Sequence, residues 1–310
     1  MLGICSSSFN PQRDIPPLEG KVILVTGANV GLGKQSVLEF ARHKPKEIWL
    51  AARNAEKAQA AVDEIKKQIL QLDLASFESI KKAAKTFLNA SDRLDILMLN
   101  AGIMAVDPGL TKDGYEVQFG TNHLGHALLA KLLLPVLEKT TRNTPNADVR
   151  VISLSSYGHT SWPKGGFRFD LLKSPASELG SYHCYYQSKL ANILWARQFA
   201  KEHPQFTVAS VHPGVVRTEL MNRATGTPRA VRAFVTLVTP LLASVEQGAK
   251  GQLWASVSKD VKSGEYYEPV GVAGKGSDDS KNDRLAKELW DWTEGELVII
   301  GLKGVHVVYL

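Results

Sequence analysis

Cysteine is nearly absent from this sequence: Cys5 and Cys184 are the only two in 310 residues. Two thiols cannot make a disulfide framework, which fits a reducing compartment and leads us to expect a cytoplasmic protein. Long apolar runs are also missing. No run reaches the length of a membrane span, and Met1 to Pro17 is polar, with no apolar stretch suited to a signal peptide. The most apolar stretch, Val231 to Val245, is interrupted by Thr236, Thr239 and Pro240 and reads as a lid or a core helix. Lys and Arg outnumber Asp and Glu by 37 to 31, a modest surplus of +6. No Lys/Arg block is interleaved with aromatics, so nucleic acid is not an expected partner. The surplus reads as a solvated surface that helps attract an anionic cofactor. No repeat period or low-complexity tract is visible. Hydrophobic content of 44% and charged content of 22% are ordinary for a globular chain, and this length can bury a large core.

What is present is organised around Thr26-Gly27-Ala28-Asn29-Val30-Gly31-Leu32-Gly33-Lys34. The apolar run Lys21 to Val25 precedes it and a helical pattern, Gln35 to His43, follows. A buried strand therefore turns through glycines into a helix whose free N–H groups and positive dipole end face the turn, an arrangement that binds a pyrophosphate. Gly27 and Gly31 allow the turn and the close approach, and Gly33 lets helix and strand pack. Asn29 and Leu32 complete the expected cofactor-binding turn.

The rest of the chain alternates strands and helices. Strands are expected over Glu47–Ala52, Ile69–Leu72, Asp95–Leu99, Val149–Leu154 and Thr207–Val211, with an edge strand at Glu265–Tyr267. Helices are expected over Glu56–Lys67, Ser76–Leu88 (Ser76 as N-cap), Tyr115–Glu138, Ser181–Ala200 and Asp283–Thr293. Such alternation predicts right-handed βαβ units in an α/β, doubly wound parallel sheet with helices on both faces. We expect residues 1–19 to be a flexible lead-in, 20–270 to be one dinucleotide-binding catalytic domain with a lid near 219–245, and 271–310 to be a C-terminal extension. The apolar, β-rich end, Leu297 to Leu310, finds no place in this scheme.

Tyr185-Tyr186-Gln187-Ser188-Lys189 is the most specific stretch. Tyr185 and Lys189, four apart on a helix, share a face. A phenol with its ordinary pKa near ~10 is a poor acid–base group at neutral pH, and an adjacent ammonium favours the phenolate and lowers that value. His123 and His126 are three apart on a helix, but no carboxylate or cysteine joins them, so no metal site is expected. Cys184 reads as a packed thiol.

The Thr-Gly-x-x-x-Gly-x-Gly turn, Asn100-Ala101-Gly102 after the fourth strand, and Tyr-x-x-x-Lys after a serine-ended strand together resemble the classical short-chain dehydrogenase/reductase family, a Rossmann fold, over roughly residues 20 to 270. Cys184 to Asn192, His212 to Thr218 and Asn122-His123-Leu124-Gly125-His126 resemble its retinol-dehydrogenase and WW-domain-oxidoreductase branch. The resemblance implies Tyr185 and Lys189 as catalytic residues, a serine among Ser153, Ser155 and Ser156, of which we choose Ser156, and Asn122 as the fourth member. It further implies cofactor contacts from Asp73 (adenine), Asn100 (adenosine ribose), Gly102, Val216, Thr218 (carboxamide) and Lys131.

Cofactor choice is read from the end of the second strand. An NAD enzyme usually places a carboxylate there. This chain has Arg53, with Lys34 just past the last glycine, and two cations suit the 2′-phosphate of NADP(H). The expected activity is therefore NADP(H)-dependent interconversion of an alcohol with a ketone or aldehyde. Val231, Phe234, Val235, Leu237, Val238, Leu241 and Leu242 either line an apolar cleft, implying a lipophilic substrate, or simply pack on the core. The alternative reading is a cofactor-binding regulator or scaffold with little turnover. A homodimer is left open.

Overall fold

In the computed structural model, residues 9–54, 67–161, 166–217, 220, 224–227 and 242–299 are described. Short runs of Val, Ile and Leu form seven strands: β1 (Val22–Thr26), β2 (Glu47–Ala52), β3 (Lys67–Gln71), β4 (Ile96–Leu99), β5 (Arg150–Leu154), β6 (Thr207–Val211) and β7 (Glu265–Tyr267). They form one sheet in the order β3-β2-β1-β4-β5-β6-β7, every pair parallel. Leu24 of β1 stands opposite Trp49 of β2 on one side and Leu97 of β4 on the other. The order reverses between β1 and β4, and a crevice opens there at the carboxyl ends of the strands.

Residues alternate across the sheet because successive side chains point to opposite faces. Val22, Leu24, Leu97 and Val151 pack under α2 (Phe77–Ala90), α3 (Gly125–Asn143), α4 (Gly180–Glu202) and α6 (Asp283–Ile299). Ile23, Val25, Met98 and Ile152 pack under α1 (Gly31–Arg42) and α5 (Val245–Val257). The result is a three-layer α/β/α Rossmann architecture. Among the described residues, no helix is long and apolar enough to cross a membrane.

The elements depart from the sequence reading in several places. From Phe9 onward the lead-in is packed rather than flexible: Phe9, Ile15 and Leu18 are buried in the α1/α5 face, around a single turn at Pro11–Asp14 capped by Asn10. The helix expected over 115–138 is interrupted. A short α-helical piece, Val117–Phe119, leads into a π-helical turn, Gly120–Leu124, and only then into α3. The sequence reading overlooked α5, although Ser244 and Gln247 form a capping box at its start. Leu297 to Ile299 close α6 as helix instead of beginning a β-rich tail. That helix shares the core of the sheet, with Ala286, Leu289 and Leu297 fully buried. The helix expected over Glu56–Lys67 and the apolar residues from Val231 to Leu241 lie outside the described residues, except that Lys67 begins β3.

Candidate active site

The glycine turn sits at the mouth of the crevice. Gly27 (φ 66°) and Gly31 (φ 55°) occupy the left-handed region that glycine adopts without strain. Val30, the N-cap of α1, offers no side-chain cap, so the first N–H groups of the helix remain directed at the turn. A Cβ on Gly33 would lie 2.5 Å from the Gly27 carbonyl oxygen and 2.6 Å from Asn100 Nδ2. Gly33→Ala is therefore expected to push helix and turn apart and to weaken nicotinamide-cofactor binding tenfold or more in a fluorescence titration. Unchanged affinity would mean that the turn absorbs the methyl group harmlessly.

Thr26, at the end of β1, ties this turn to the end of β4. Its hydroxyl oxygen accepts the Asn100 N–H (2.9 Å) and the Ala101 N–H (3.0 Å), and its carbonyl accepts Asn100 Nδ2 (2.8 Å). Gln252, from the overlooked α5, donates to Asn100 Oδ1 at 3.2 Å. Thr26 and Gln252 are thus structural members of the site that the sequence reading missed. A threonine closing a strand just before the glycines was the available signal for the first.

A cleft of about 550 Å³ runs along these strand ends. Arg53, Asn54 and Asp73 line one end; Gly27, Asn29, Gly31, Leu32, Asn100 and Gly102 line the middle; Tyr185, Lys189, Pro213 and Leu220 line the other. A methyl on Gly102 would approach within 3.2 Å of Asn122 Oδ1 and 3.4 Å of Lys189 Nζ, so the glycine lets both side chains sit close to this stretch of backbone. The open helix N-terminus, the glycine cradle and the elongated cleft together fit a dinucleotide.

Three of the expected cofactor contacts are not among the residues that line the cleft. Lys131 faces α6, where it pairs with Glu294, and does not line the cleft. Lys34 stands in the first turn of α1, outside the cleft lining. Val216 is buried, bridged in parallel to Ala243 and set against Gly248 of α5, also outside that lining. Thr218 lies outside the described residues.

The catalytic candidates converge where α4 crosses the end of β5. The structure separates the three serines by where their hydroxyls go. Ser153 donates to the Asn192 carbonyl (3.5 Å) and Ser155 to the Lys189 carbonyl (2.7 Å), both on α4. Ser156 accepts the Gly158 N–H at 3.1 Å, and its side chain lies near enough to the Tyr185 phenol to oppose the rise of that group's pKa. His159 holds the same loop by donating from Nδ1 to the Ser156 carbonyl (2.7 Å). A Cβ on Gly158 would lie 2.5 Å from Cδ1 of Tyr186, so that ring covers the serine loop.

Lys189 Nζ donates to the Leu154 carbonyl (3.1 Å), which also accepts Asn192 Nδ2 (2.9 Å), and lies 5.7 Å from the centre of the Tyr185 ring. Burial pushes the Tyr185 phenol up to about 12, opposed by Ser156. Burial likewise brings the Lys189 ammonium down to about 8. The expectation that the ammonium would lower the phenol pKa is thus overridden: desolvation penalises the charged form of each group, and it is the larger effect here.

Asn122 is fully buried in the π-helical turn. Its side-chain amide donates to the Ile103 carbonyl and to Ser188 Oγ (both 2.9 Å), and Oδ1 accepts the Ile103 N–H (2.8 Å). His123 is bonded to Asn192 of α4 and, through Nε2, to Thr293 of α6 (3.1 Å). The ring of His126 lies between Thr26 Oγ1 and the Asn122 carbonyl. Both histidines are thus spent on hydrogen bonds between elements of the fold.

Comparison with known proteins adds an independent line. Residues 21–163 match the family model described as short chain dehydrogenase. An uncharacterised oxidoreductase of Schizosaccharomyces pombe is 38% identical, over 91% of this chain and 86% of its own length. Human retinol dehydrogenase 13 is 36% identical, over 88% of this chain and 83% of its own. The crystal structure of an uncharacterised protein from Mycobacterium paratuberculosis superimposes with a TM-score of 0.71 at 28% identity, covering 92% of this chain and 96% of that one.

Proposed function

Because the chain belongs to the short-chain dehydrogenase/reductase family and is an oxidoreductase with retinol-dehydrogenase-like relatives, we propose that it interconverts a lipophilic alcohol and its ketone or aldehyde with NADP(H). The observation that carries this reading is the convergence of Ser156, Tyr185, Lys189 and Asn122 at one end of a dinucleotide-shaped cleft that has Arg53 at the other. The bound nicotinamide supplies the carbon that gives or takes the hydride.

The protein's own groups handle the oxygen. With its pKa held near 12, Tyr185 keeps its proton at neutral pH and can deliver it to a developing alkoxide. Ser156, whose side chain interacts with that phenol, would donate to the same oxygen. Lys189 and Asn100 are placed to hold the sugar next to the nicotinamide, and the Thr26–Gly33 turn to hold the pyrophosphate. Tyr157 and Val215, close in sequence to Ser156 and Pro213, are exposed, and in this reading an apolar substrate would meet them. The first test is NADPH oxidation with a panel of aliphatic aldehydes, aromatic ketones and sugar aldehydes. Turnover of the first two classes is expected; absence of turnover throughout would favour a cofactor-binding regulator.

Cofactor choice rests on Arg53, which is exposed, follows directly on β2 and lines the cleft. Arg53→Ala is expected to cost about 1.5–3 kcal/mol of NADP(H) binding through loss of a charge-assisted contact to the 2′-phosphate. That corresponds to roughly ten- to a hundredfold in Kd, with NAD(H) affinity nearly unchanged. Equal losses for both cofactors, or a wild-type preference for NADH, would refute the assignment.

A further inference from the structure

The reading above gives the buried, titratable side chain of His126 no part in the chemistry. His126 opens α3 immediately after the π-helical turn and is 3% exposed. Its Nδ1 lies 2.9 Å from the Asn122 carbonyl and its Nε2 2.9 Å from Thr26 Oγ1.

Donor and acceptor roles along this chain are fixed by chemistry. A carbonyl oxygen only accepts, so Nδ1 carries the hydrogen. In the neutral ring Nε2 is then a bare acceptor, and the Thr26 hydroxyl must donate to it. That choice agrees with the rest of the Thr26 environment: its oxygen already accepts N–H groups from Asn100 and Ala101, and the alternative acceptor, the Met98 carbonyl, is farther away at 3.4 Å. A protonated ring would aim a third N–H at that oxygen. Burial keeps the ring neutral, holding its pKa down to about 4. One continuous path therefore runs from the backbone of the cofactor turn, through Thr26 and His126, to the main chain of Asn122.

The position of Asn122 makes this path consequential. A π-helical turn is an irregular piece of helix that stores a side chain where a regular turn would not place it. Asn122 uses its side chain to hold Ile103, next to Gly102 in the cleft, and Ser188, next to Lys189. A shift of its carbonyl would thus be felt on both sides of the catalytic lysine.

We propose that His126 is a positioning residue, whose Nδ1–H to the Asn122 carbonyl fixes the π-helical turn and so sets the Asn122–Ser188–Lys189 arrangement for turnover. This rests on the reading that Asn122 belongs to the catalytic set.

The two ring nitrogens can be replaced separately. His126→Asn puts an amide N–H near the Nδ1 position and gives up the bond to Thr26. His126→Gln puts an amide near Nε2 and gives up the bond to Asn122. With NADPH and the carbonyl compound turned over fastest in the panel above, His126→Gln is expected to lower kcat tenfold or more. KM and the NADPH Kd should stay within threefold. His126→Asn should recover kcat to within threefold of the native enzyme. Rates are taken per NADPH-binding site, so a partly unfolded variant does not count as a slow one. Equal losses in both variants, recovery by Gln but not Asn, or an unimpaired Gln variant would each overturn the proposal. Asn122→Ala separates the two levels. If it is as active as the native enzyme, the catalytic reading of Asn122 falls and this inference with it. If Asn122→Ala is slow while His126→Gln is not, only the inference falls. If no member of the panel is turned over, the catalytic reading fails and the inference falls with it.

Discussion

Tyr185→Phe is expected to lower kcat by ~10² or more while leaving fold and NADPH binding within a few-fold of the native enzyme. The ring is 6% exposed, so keeping it preserves the packing around it, and only the hydroxyl is lost. The developing alkoxide would then have to take its proton from water, about 2.7 kcal/mol of added barrier for that factor. Tyr186→Phe serves as the control. Its ring edge rests on Gly158 and must stay, but its hydroxyl serves no part of the proposed chemistry, so removing it should change kcat little. If Tyr186 proved essential and Tyr185 dispensable, the proton donor would have been misassigned.

The second large effect concerns Lys189, where activity and stability are expected to move in opposite directions. Burial brings its ammonium from an ordinary 10.5 down to about 8. Below pH 8 both folded and unfolded chains carry the proton, and the folded one bears the desolvation cost, about 3 kcal/mol for a shift of this size. Between pH 8 and 10.5 the folded chain sheds the proton first, so this contribution makes the native protein more stable as pH rises. Above that window the cost is gone. Lys189→Met removes the charge and keeps much of the volume. The Leu154 carbonyl does not lose its only donor, because Asn192 Nδ2 remains on it. The variant should therefore lose turnover by ~10² or more and yet unfold at pH 7 with a stability higher by about 3 kcal/mol. That gain should shrink across pH 8 to 10.5. A variant that is destabilised at pH 7, or whose gain does not depend on pH, would show that the native ammonium is not strained by burial.

Much of the fold was legible because its strands are short apolar runs with polar ends. β2, β6 and β7 fall where the sequence placed them, since the side chains at their ends change character at the sheet edge. What was not legible follows from physical causes. Inserting a π-helical turn adds less than one turn of helix and leaves the apolar pattern of 115–138 nearly intact, so periodicity could not reveal it. α5 escaped because most of its faces are buried, from Gly248 to Ser256, which leaves little amphipathic period to read, although the Ser244–Gln247 capping box marked its start. Ser153, Ser155 and Ser156 were indistinguishable as residues; only their hydrogen-bond partners separate them. Lys131 stands nine residues after Asn122, roughly half a turn around the helix, and so faces α6 rather than the cleft. The pKa of Tyr185 misled because residue spacing reveals a neighbouring charge but not how thoroughly water is excluded.

α6 has a consequence of a different kind, for synthesis rather than catalysis. Its Leu289 and Leu297 complete the apolar layer over α3 and α4, while Trp290 and Trp292 pack against Phe199 and Phe119. Thr293 reaches His123, and Glu296 accepts the Tyr115 hydroxyl at 2.7 Å. A growing chain therefore carries the glycine turn and the Tyr185–Lys189 segment before the segment that packs on α3 and α4 has been translated. Until Asp283–Ile299 leaves the ribosome, the apolar faces of α3 and α4 have no lid of their own, which is the condition under which nascent chains rely on chaperones to stay out of aggregates.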